Sequence, residues 1–133
     1  MNEQLSEKLM SSFPILYRKC DENKRYSFSL YGFECGDGWF DMLFELSGKI
    51  EKELEKFPED EKPCVLQVKQ KFGELRFYMS NHDEVISGLI EECSNKSITV
   101  CEQCGSLGEI RPYRWIQCLC LECDNKLKRY QKK

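Results

Sequence analysis

The sequence predicts an α+β protein, with helices packed on a small antiparallel β-hairpin sheet and a compact cysteine-rich module at the C-terminus. Three observations support this fold class: an apolar stripe at helical spacing over residues 39–57, apolar–polar alternation over 64–80, and two Cys-x-x-Cys pairs. A chain of 133 residues, 41% of them hydrophobic, can form one core. We expect an α+β body over residues 1–98 and the module over residues 99–133.

The N-terminal half is expected to be mainly helical. Leu5 and Leu9, four residues apart, predict a short amphipathic helix, and weak alternation over residues 26–31 predicts a strand. The strongest helix covers residues 39–57, where apolar side chains recur every three or four positions. Asp37 is the expected N-cap of that helix.

Residues 64–80 predict a β-hairpin that turns near Gly73. One face is apolar and is expected to pack on the core, with the side chains of Leu66, Val68, Leu75, Phe77 and Met79. The other face is polar and carries Gln67, Lys69, Arg76 and Tyr78. After the hairpin, Asp83 is the expected N-cap of a further helix.

The cysteines near the C-terminus form the most specific signal in the sequence. Two Cys-x-x-Cys pairs at this separation are typical of a zinc site, because each tight turn supplies two thiolates to one tetrahedral ion. The predicted ligands are Cys101, Cys104, Cys120 and Cys123. Cys118 is an alternative to Cys120, which is preferred because it has the pair spacing to Cys123. Thiolates fill all four positions, so the zinc is expected to be structural rather than catalytic.

The segments between and after the two cysteine pairs predict the fold of the module. Residues 110–116 are suited to short strands, and residues 121–133 are helical and basic. A second cysteine pair in the first turn of a helix, after a knuckle and a hairpin, is the treble-clef arrangement. The full prediction is therefore an α+β body followed by a C-terminal treble-clef-like zinc module.

Charge and hydropathy exclude some classes of protein. The formal net charge of −3 disfavours a protein that coats nucleic acid through unspecific phosphate contacts. No apolar run approaches the ~20 residues that span a bilayer, and the polar start lacks a signal-peptide pattern. We therefore expect a cytoplasmic protein. Because disulfide bonds rarely persist there, its cysteines are expected to be metal ligands, nucleophiles or buried apolar side chains.

The polar hairpin face is a candidate ligand-binding site. Lys69, Arg76 and Tyr78 combine two cations with an aromatic ring in an otherwise acidic body, which suits an anionic ligand such as a nucleotide or an acidic protein loop. Trp39 and its neighbour Phe40 are expected to contribute to the same binding surface. The alternative is an ordinary polar sheet face.

Three further candidates are weaker. Glu34, Asp37 and Asp41 could serve a metal-dependent hydrolase or nuclease, but acidic residues also favour a helix start. His82 lies in an apparent turn, where a solvated side chain is expected. The basic C-terminal helix could contact nucleic acid or could simply be a solvated helix end, and its cations are Lys126, Lys128, Arg129, Lys132 and Lys133.

Three blocks of the sequence carry a resemblance to a group of proteins. They cover residues 33–43 (FECGDGWFDML), 67–78 (QVKQKFGELRFY) and 101–105 (CEQCG). These blocks resemble those of small proteins of tailed phages and prophages whose activity is not established. The usual second block has two adjacent glycines, where this chain has Gly73 and Glu74. The resemblance implies a phage-type accessory protein in the host bacterial cytoplasm, and it says little about chemistry.

From these observations we expect a non-enzymatic accessory binding protein. It would act as a stoichiometric inhibitor or anti-defence factor on a host protein, or capture an anionic, nucleotide-like ligand. One alternative is a zinc-stabilised nucleic-acid-binding protein in phage transcription or replication, which would use the basic C-terminal helix. The other alternative is a metal-dependent hydrolase or nuclease.

Overall fold

The computed structural model describes residues 1–19 and 27–131, which form five helices and two small sheets. In chain order the elements are α1 (Glu3–Ser12), α2 (Ser27–Tyr31), β1 (Phe33–Glu34), α3 (Phe40–Leu54), β2 (Val65–Lys71), β3 (Glu74–Met79), α4 (Glu84–Ser97), β4 (Glu109–Arg111), β5 (Gln117–Leu119) and α5 (Leu121–Gln131). The α+β class is therefore confirmed.

The larger sheet has the strand order β1-β2-β3 and is mixed rather than purely antiparallel. β2 and β3 form the predicted antiparallel hairpin, while β1 pairs with β2 in parallel and places Phe33 opposite Val68. β1 could not be predicted from the sequence, because a strand of two residues carries no periodic pattern. The smaller sheet is the antiparallel β4–β5 hairpin.

A β-bulge in β2 corrects one predicted core position. Val65 pairs with Met79 and Gln67 pairs with Tyr78, so Leu66 has no residue opposite it. The bulge turns Val65 toward the core, where it is fully buried, and leaves Leu66 only partly buried. From Gln67 onward the predicted alternation is confirmed.

The core lies between the apolar face of the β2–β3 hairpin and helices α3 and α4. Helix α4 contacts both α3 and β3. The predicted stripe of α3 is confirmed, since its buried apolar residues are Met42, Leu43, Leu46, Ile50 and Leu54. The rings of Tyr17, Phe28 and Phe33 pack together beside this layer, with centroids 5.1–5.5 Å apart.

Two local predictions in the N-terminal half are wrong. Residues 27–31 form the short helix α2 rather than a strand, because a six-residue alternation also fits one turn of helix with Phe28 on its buried side. Asp37 is not an N-cap: it begins a single 3₁₀ turn before α3. Its carboxylate instead accepts hydrogen bonds from the backbone and side-chain nitrogens of Asn2, at 2.6 and 3.1 Å. Asp83 caps α4 as predicted and accepts a hydrogen bond from the backbone of Ile86 at 2.8 Å.

Two further observations concern membrane-spanning helices and the state of the cysteines. Among the described residues no helix is long and apolar enough to cross a membrane. The expectation that the chain has no disulfide is wrong at Cys64, which is disulfide-bonded. Cys35 and Cys93 are buried free thiols, as expected of apolar core residues. Because disulfides are typical of oxidising compartments, the cytoplasmic location stays a prediction.

Two serines of α4 cover the edge of β3. The backbone N–H of Leu75 donates to Oγ of Ser97 at 2.9 Å, and its carbonyl accepts from Oγ of Ser94 at 3.1 Å. Both Leu75 and Ser97 are fully buried. The helix therefore satisfies backbone groups that an edge strand would otherwise leave unpaired.

We expect Ser97→Ala to lower the free energy of unfolding by about 1–3 kcal/mol, because it leaves the N–H of Leu75 buried without its acceptor. Urea unfolding followed by circular dichroism measures the change. Ser11→Ala is the control, since this exposed hydroxyl donates only to Lys8 at 3.3 Å and its loss should cost less than about 0.5 kcal/mol. Equal midpoints for the two variants would contradict the role given to Ser97.

Candidate metal centre and ligand face

Two turns of the backbone present the paired cysteines to one another. The first is the knuckle (residues 101–105), which a hydrogen bond of 2.9 Å from Gly105 N to the carbonyl of Cys101 closes. Gly105 has φ +84°, a conformation that glycine adopts without steric cost. The second turn is the start of α5, where the N–H of Cys123 donates to Sγ of Cys120 at 3.4 Å. The β4–β5 hairpin connects the two turns.

The four sulfurs lie close enough to bind one metal ion. Sγ atoms of Cys101, Cys104, Cys120 and Cys123 are all within 4.8 Å of one another. Those of Cys104 and Cys120 are 3.6 Å apart. A tetrahedral site with metal–sulfur bonds of about 2.3 Å has sulfurs about 3.8 Å apart, so small movements would complete it. This is the one group of metal-binding geometry among residues 1–19 and 27–131.

The cysteine thiols of this cluster differ in their affinity for protons. Hydrogen bonds with Ser106 lower the pKa of the Cys104 thiol to about 6. The pKa of the Cys123 thiol is raised, mainly because burial removes the thiol from water and secondly because of its hydrogen bonds with Cys120 and Cys104. Cys104 is therefore a thiolate at neutral pH, whereas Cys123 keeps its proton. A bound cation would favour the thiolate form of Cys123 and release that proton.

Cys118 lies apart from the four clustered cysteines. Its side chain is fully buried, and its thiol donates to the carbonyl oxygen of Ile98 at 3.2 Å. Burial raises the pKa of this thiol to about 11, so it remains protonated. The structure therefore places Cys120, and not Cys118, beside Cys123.

The loop before α3 packs directly on the knuckle. Gly38 N donates to the carbonyl of Glu102 at 2.8 Å, and Gly36 N donates to the Glu102 carboxylate at 2.9 Å. A Cβ at Gly36 would lie 2.3 Å from the Glu102 carbonyl oxygen, and one at Gly38 would lie 2.2 Å from that of Cys101. This contact could not be predicted from the sequence, because the two glycines indicate a tight loop but not the distant segment on which it packs. The boundary after residue 98 stays a prediction, and these bonds join the two parts.

Trp39 is not on a binding surface, which corrects the sequence-based prediction. Its side chain is fully buried, and its indole Nε1 donates to the carbonyl of Val100 at 2.8 Å. The ring lies where the body meets the C-terminal module, so an apolar contact explains the burial. Its neighbour Phe40 is partly buried against the core.

A buried ion pair attaches α5 to the β4–β5 hairpin. Asp124 has no exposed surface, and its carboxylate lies 3.8 Å from the Arg111 guanidinium. Arg111 also pairs with Glu109 at 2.9 Å and donates to the carbonyl of Leu119 at 3.2 Å. Removal of one partner would leave a buried charge, so this pair holds the second cysteine turn in place.

The outer face of the β2–β3 hairpin brings the predicted cations together. It comprises Gln67, Lys69, Lys71, Glu74, Arg76 and Tyr78, as the strand register requires. Lys69 lies directly opposite Arg76, and Tyr78 is 48% exposed. Arg76 pairs with Glu74, and β1 places Glu34 beside Lys69. Three of the four predicted ligand-binding residues thus share one surface, and Trp39 does not.

The remaining candidate site residues from the sequence are the acidic residues near α3, His82 and the cations of the C-terminal helix. Glu34, Asp37 and Asp41 do not form a metal-binding group within the described part of the chain. His82 is exposed and its Nδ1 is 2.7 Å from Oγ of Ser87, in keeping with a solvated turn. Lys126 is exposed and 3.7 Å from Glu122. The remaining cations of the C-terminal helix lie outside the described side chains: Lys128, Arg129, Lys132 and Lys133.

Two cavities occur in the described structure away from this outer face. One lies between α3 and α4 and is lined by residues such as Leu46, Leu89 and Cys93. The other lies beside the knuckle, between Leu5, Phe40 and the exposed Cys104. The outer-face residues line neither of them.

We expect Gly38→Ala to lower the free energy of unfolding by about 3 kcal/mol, because its Cβ would collide with the backbone of the knuckle. It should also weaken metal binding, since Cys101 and Cys104 must move. Urea unfolding and a metal-competition titration measure the two effects.

Gly88→Ala is the matched control for Gly38→Ala. Gly88 lies within α4, and no atom lies within 4 Å of the place that an alanine methyl would take there. Alanine at this position should therefore add about 0.5–1 kcal/mol of stability. If Gly38→Ala behaved like this control, the close approach of loop and knuckle would be wrong.

Comparison with known proteins assigns neither a family nor a function to the chain. No family model, curated protein or solved structure matches the chain. What can be said of its function rests on the cysteine cluster and on the outer face of the β2–β3 hairpin.

Proposed function

We propose that the four-cysteine cluster binds one zinc ion. Four sulfur donors in one close group suit zinc or iron, and zinc accepts four thiolates without redox chemistry. The proposal is supported by the positions of the four sulfurs, which all lie within 4.8 Å of one another. The order of elements, with a knuckle, a hairpin and then a helix that carries the second pair, supports a treble-clef interpretation.

The role proposed for the ion is structural. Four protein ligands leave no position for water or substrate, whereas catalytic zinc keeps an open position. The knuckle bonds to Gly36 and Gly38, so the ion would also hold in place the backbone on which the body packs.

We propose that the protein is a non-enzymatic binding protein whose outer face takes an anionic partner. The observation that carries the proposal is the pairing of Lys69 opposite Arg76 beside the exposed ring of Tyr78. Like charges directly opposite one another destabilise a strand pair. An anion bound between them would offset that repulsion, and Arg76 can offer a carboxylate or phosphate two parallel hydrogen bonds.

The carboxylates on this face do not cancel its cations. Glu74 pairs with Arg76, and Glu34 lies next to Lys69, so three cations face two carboxylates once Lys71 is included. The Arg76–Glu74 pair is partly exposed, with side chains 29% and 39% accessible, and water weakens it. A stronger anion can therefore displace Glu74.

Two carriers of that negative charge fit the outer face: an acidic site on a host protein, as the resemblance to phage accessory proteins implies, and an anionic nucleotide-like ligand. A small protein that covers an acidic site on its target inhibits it stoichiometrically, and an anti-defence role would be one instance. Binding of nucleic acid through the basic C-terminal helix and metal-dependent hydrolysis remain alternatives, without an observation that favours either.

We expect Cys120→Ala to lose the metal and Cys118→Ala to keep it. Native mass spectrometry of the purified variants counts bound ions, and the wild type should carry one zinc per chain. Both variants remove one sulfur, so the pair separates ligation from the general effect of losing a cysteine. A Cys118→Ala protein without metal would contradict the ligand set, and a coloured, iron-containing wild type would contradict zinc.

We expect Lys69→Ala combined with Arg76→Ala to weaken the binding of a heparin oligosaccharide at least about ten-fold, because two charge-assisted contacts are removed. Isothermal titration with the metal-loaded protein measures this loss. Lys19→Ala combined with Lys52→Ala is the control, since it removes the same charge from exposed positions elsewhere. Equal losses in both double variants would show that net charge, and not the outer face, determines binding.

A further inference from the structure

Four aromatic side chains of the described residues are strongly exposed; three of them belong to the two hairpins, and the fourth, Tyr31, ends α2. Tyr78 is 48% exposed on the outer face, Phe72 is 64% exposed at the tip of the β2–β3 hairpin, and Trp115 is 67% exposed in the β4–β5 loop. Large aromatic rings are normally covered, and those left in solvent often serve recognition. Phe72 has φ 55°, an unfavourable value for a bulky residue.

The tip of the β2–β3 hairpin packs on the strands of the β4–β5 hairpin. A Cβ at Gly73 would lie 2.4 Å from Cδ1 of Ile110 and 3.4 Å from the carbonyl carbon of Gln117. Ile110 and Gln117 flank the loop that carries Arg114 and Trp115. The β2–β3 tip therefore lies beside β4 and β5, which brings the turn that holds Phe72 close to the loop that holds Trp115.

Cations lie between the rings on this surface. Lys69 and Arg76 separate Tyr78 from the tip, and Nζ of Lys71 lies 5.7 Å from the centroid of the Phe72 ring. Arg114 precedes Trp115 and is exposed. We call the outer face together with Phe72, Arg114 and Trp115 the platform. The platform thus combines three aromatic rings with four cations.

The length of the platform limits the class of ligand that would cover it. Gln67, which pairs with Tyr78, is five residues from Phe72, or about 17 Å along an extended strand. One mononucleotide cannot span that distance. The fitting ligand is an extended polyanion with planar groups.

We propose that the platform binds single-stranded nucleic acid. Unpaired bases stack on Tyr78, Phe72 and Trp115, and the phosphates between them contact the interspersed Lys and Arg side chains. Duplex DNA hides its base faces, so the rings would contribute nothing to its binding. This inference rests on the proposed anionic partner of the outer face and names its chemical class.

The test compares a fluorescein-labelled dT20 with an abasic 20-mer of the same charge, by fluorescence anisotropy with the metal-loaded full chain. We expect dT20 to bind at least about ten-fold more tightly at low salt, because only dT20 offers bases to the rings. Phe72→Ala combined with Trp115→Ala should reduce its affinity to that of the abasic strand. Val85→Ala combined with Leu107→Ala, at exposed positions outside the platform, should leave it unchanged.

The outcomes separate this inference from the proposed function. Equal binding of dT20 and the abasic strand, both weakened by Lys69→Ala with Arg76→Ala, would overturn the stacking role and leave the anionic site standing. Tighter binding of poly-L-glutamate than of dT20 would also overturn it and would indicate an acidic protein. No binding of any of these polyanions would overturn both proposals. Bound metal and the urea midpoint establish that each variant is folded.

Discussion

The hydrogen bonds between the knuckle and the loop before α3 are the contact on which the rest of the structure depends. They join the backbone of Gly38 to the carbonyl of Glu102 and that of Gly36 to the Glu102 carboxylate, at a separation that leaves no room for a side chain at Gly36 or Gly38. Trp39, immediately after this loop, fills the junction and bonds to Val100. The core and the cysteine cluster are thus two sides of one interface. Because protein interiors are closely packed, a change in the shape of the knuckle must also displace the start of α3.

The distinctive blocks of the sequence meet around the C-terminal module. The first supplies the loop that packs on the knuckle, and the second supplies Gly73, which lets the β2–β3 tip contact Ile110. The third is the knuckle itself. Structural demands therefore account for the glycines in these blocks, while the cations Lys69 and Arg76 do not take part in that packing. Residues without a packing task are the ones that a binding function would explain.

Local patterns in the sequence predicted much of the fold. Apolar spacing predicted α3, alternation predicted the β2–β3 hairpin, and the spacing of the cysteines predicted which four of them lie together. Features that depend on distant partners could not be predicted in this way. The bulge at Leu66 depends on pairing with β3, and the burial of Trp39 depends on the C-terminal module. Asp37 bonds to Asn2, 35 residues away, rather than to its own helix.

The same contact has a consequence for the order in which the chain can fold. The bond between Gly36 and Glu102 joins residues 66 positions apart. At about 5–20 residues per second, a ribosome needs roughly 3–13 s to synthesise the intervening segment. During that interval the indole of Trp39 has no partner, and the apolar start of α3 is open to other chains. The nascent protein therefore acquires its protective covering only after the cysteine-rich end has emerged from the ribosome.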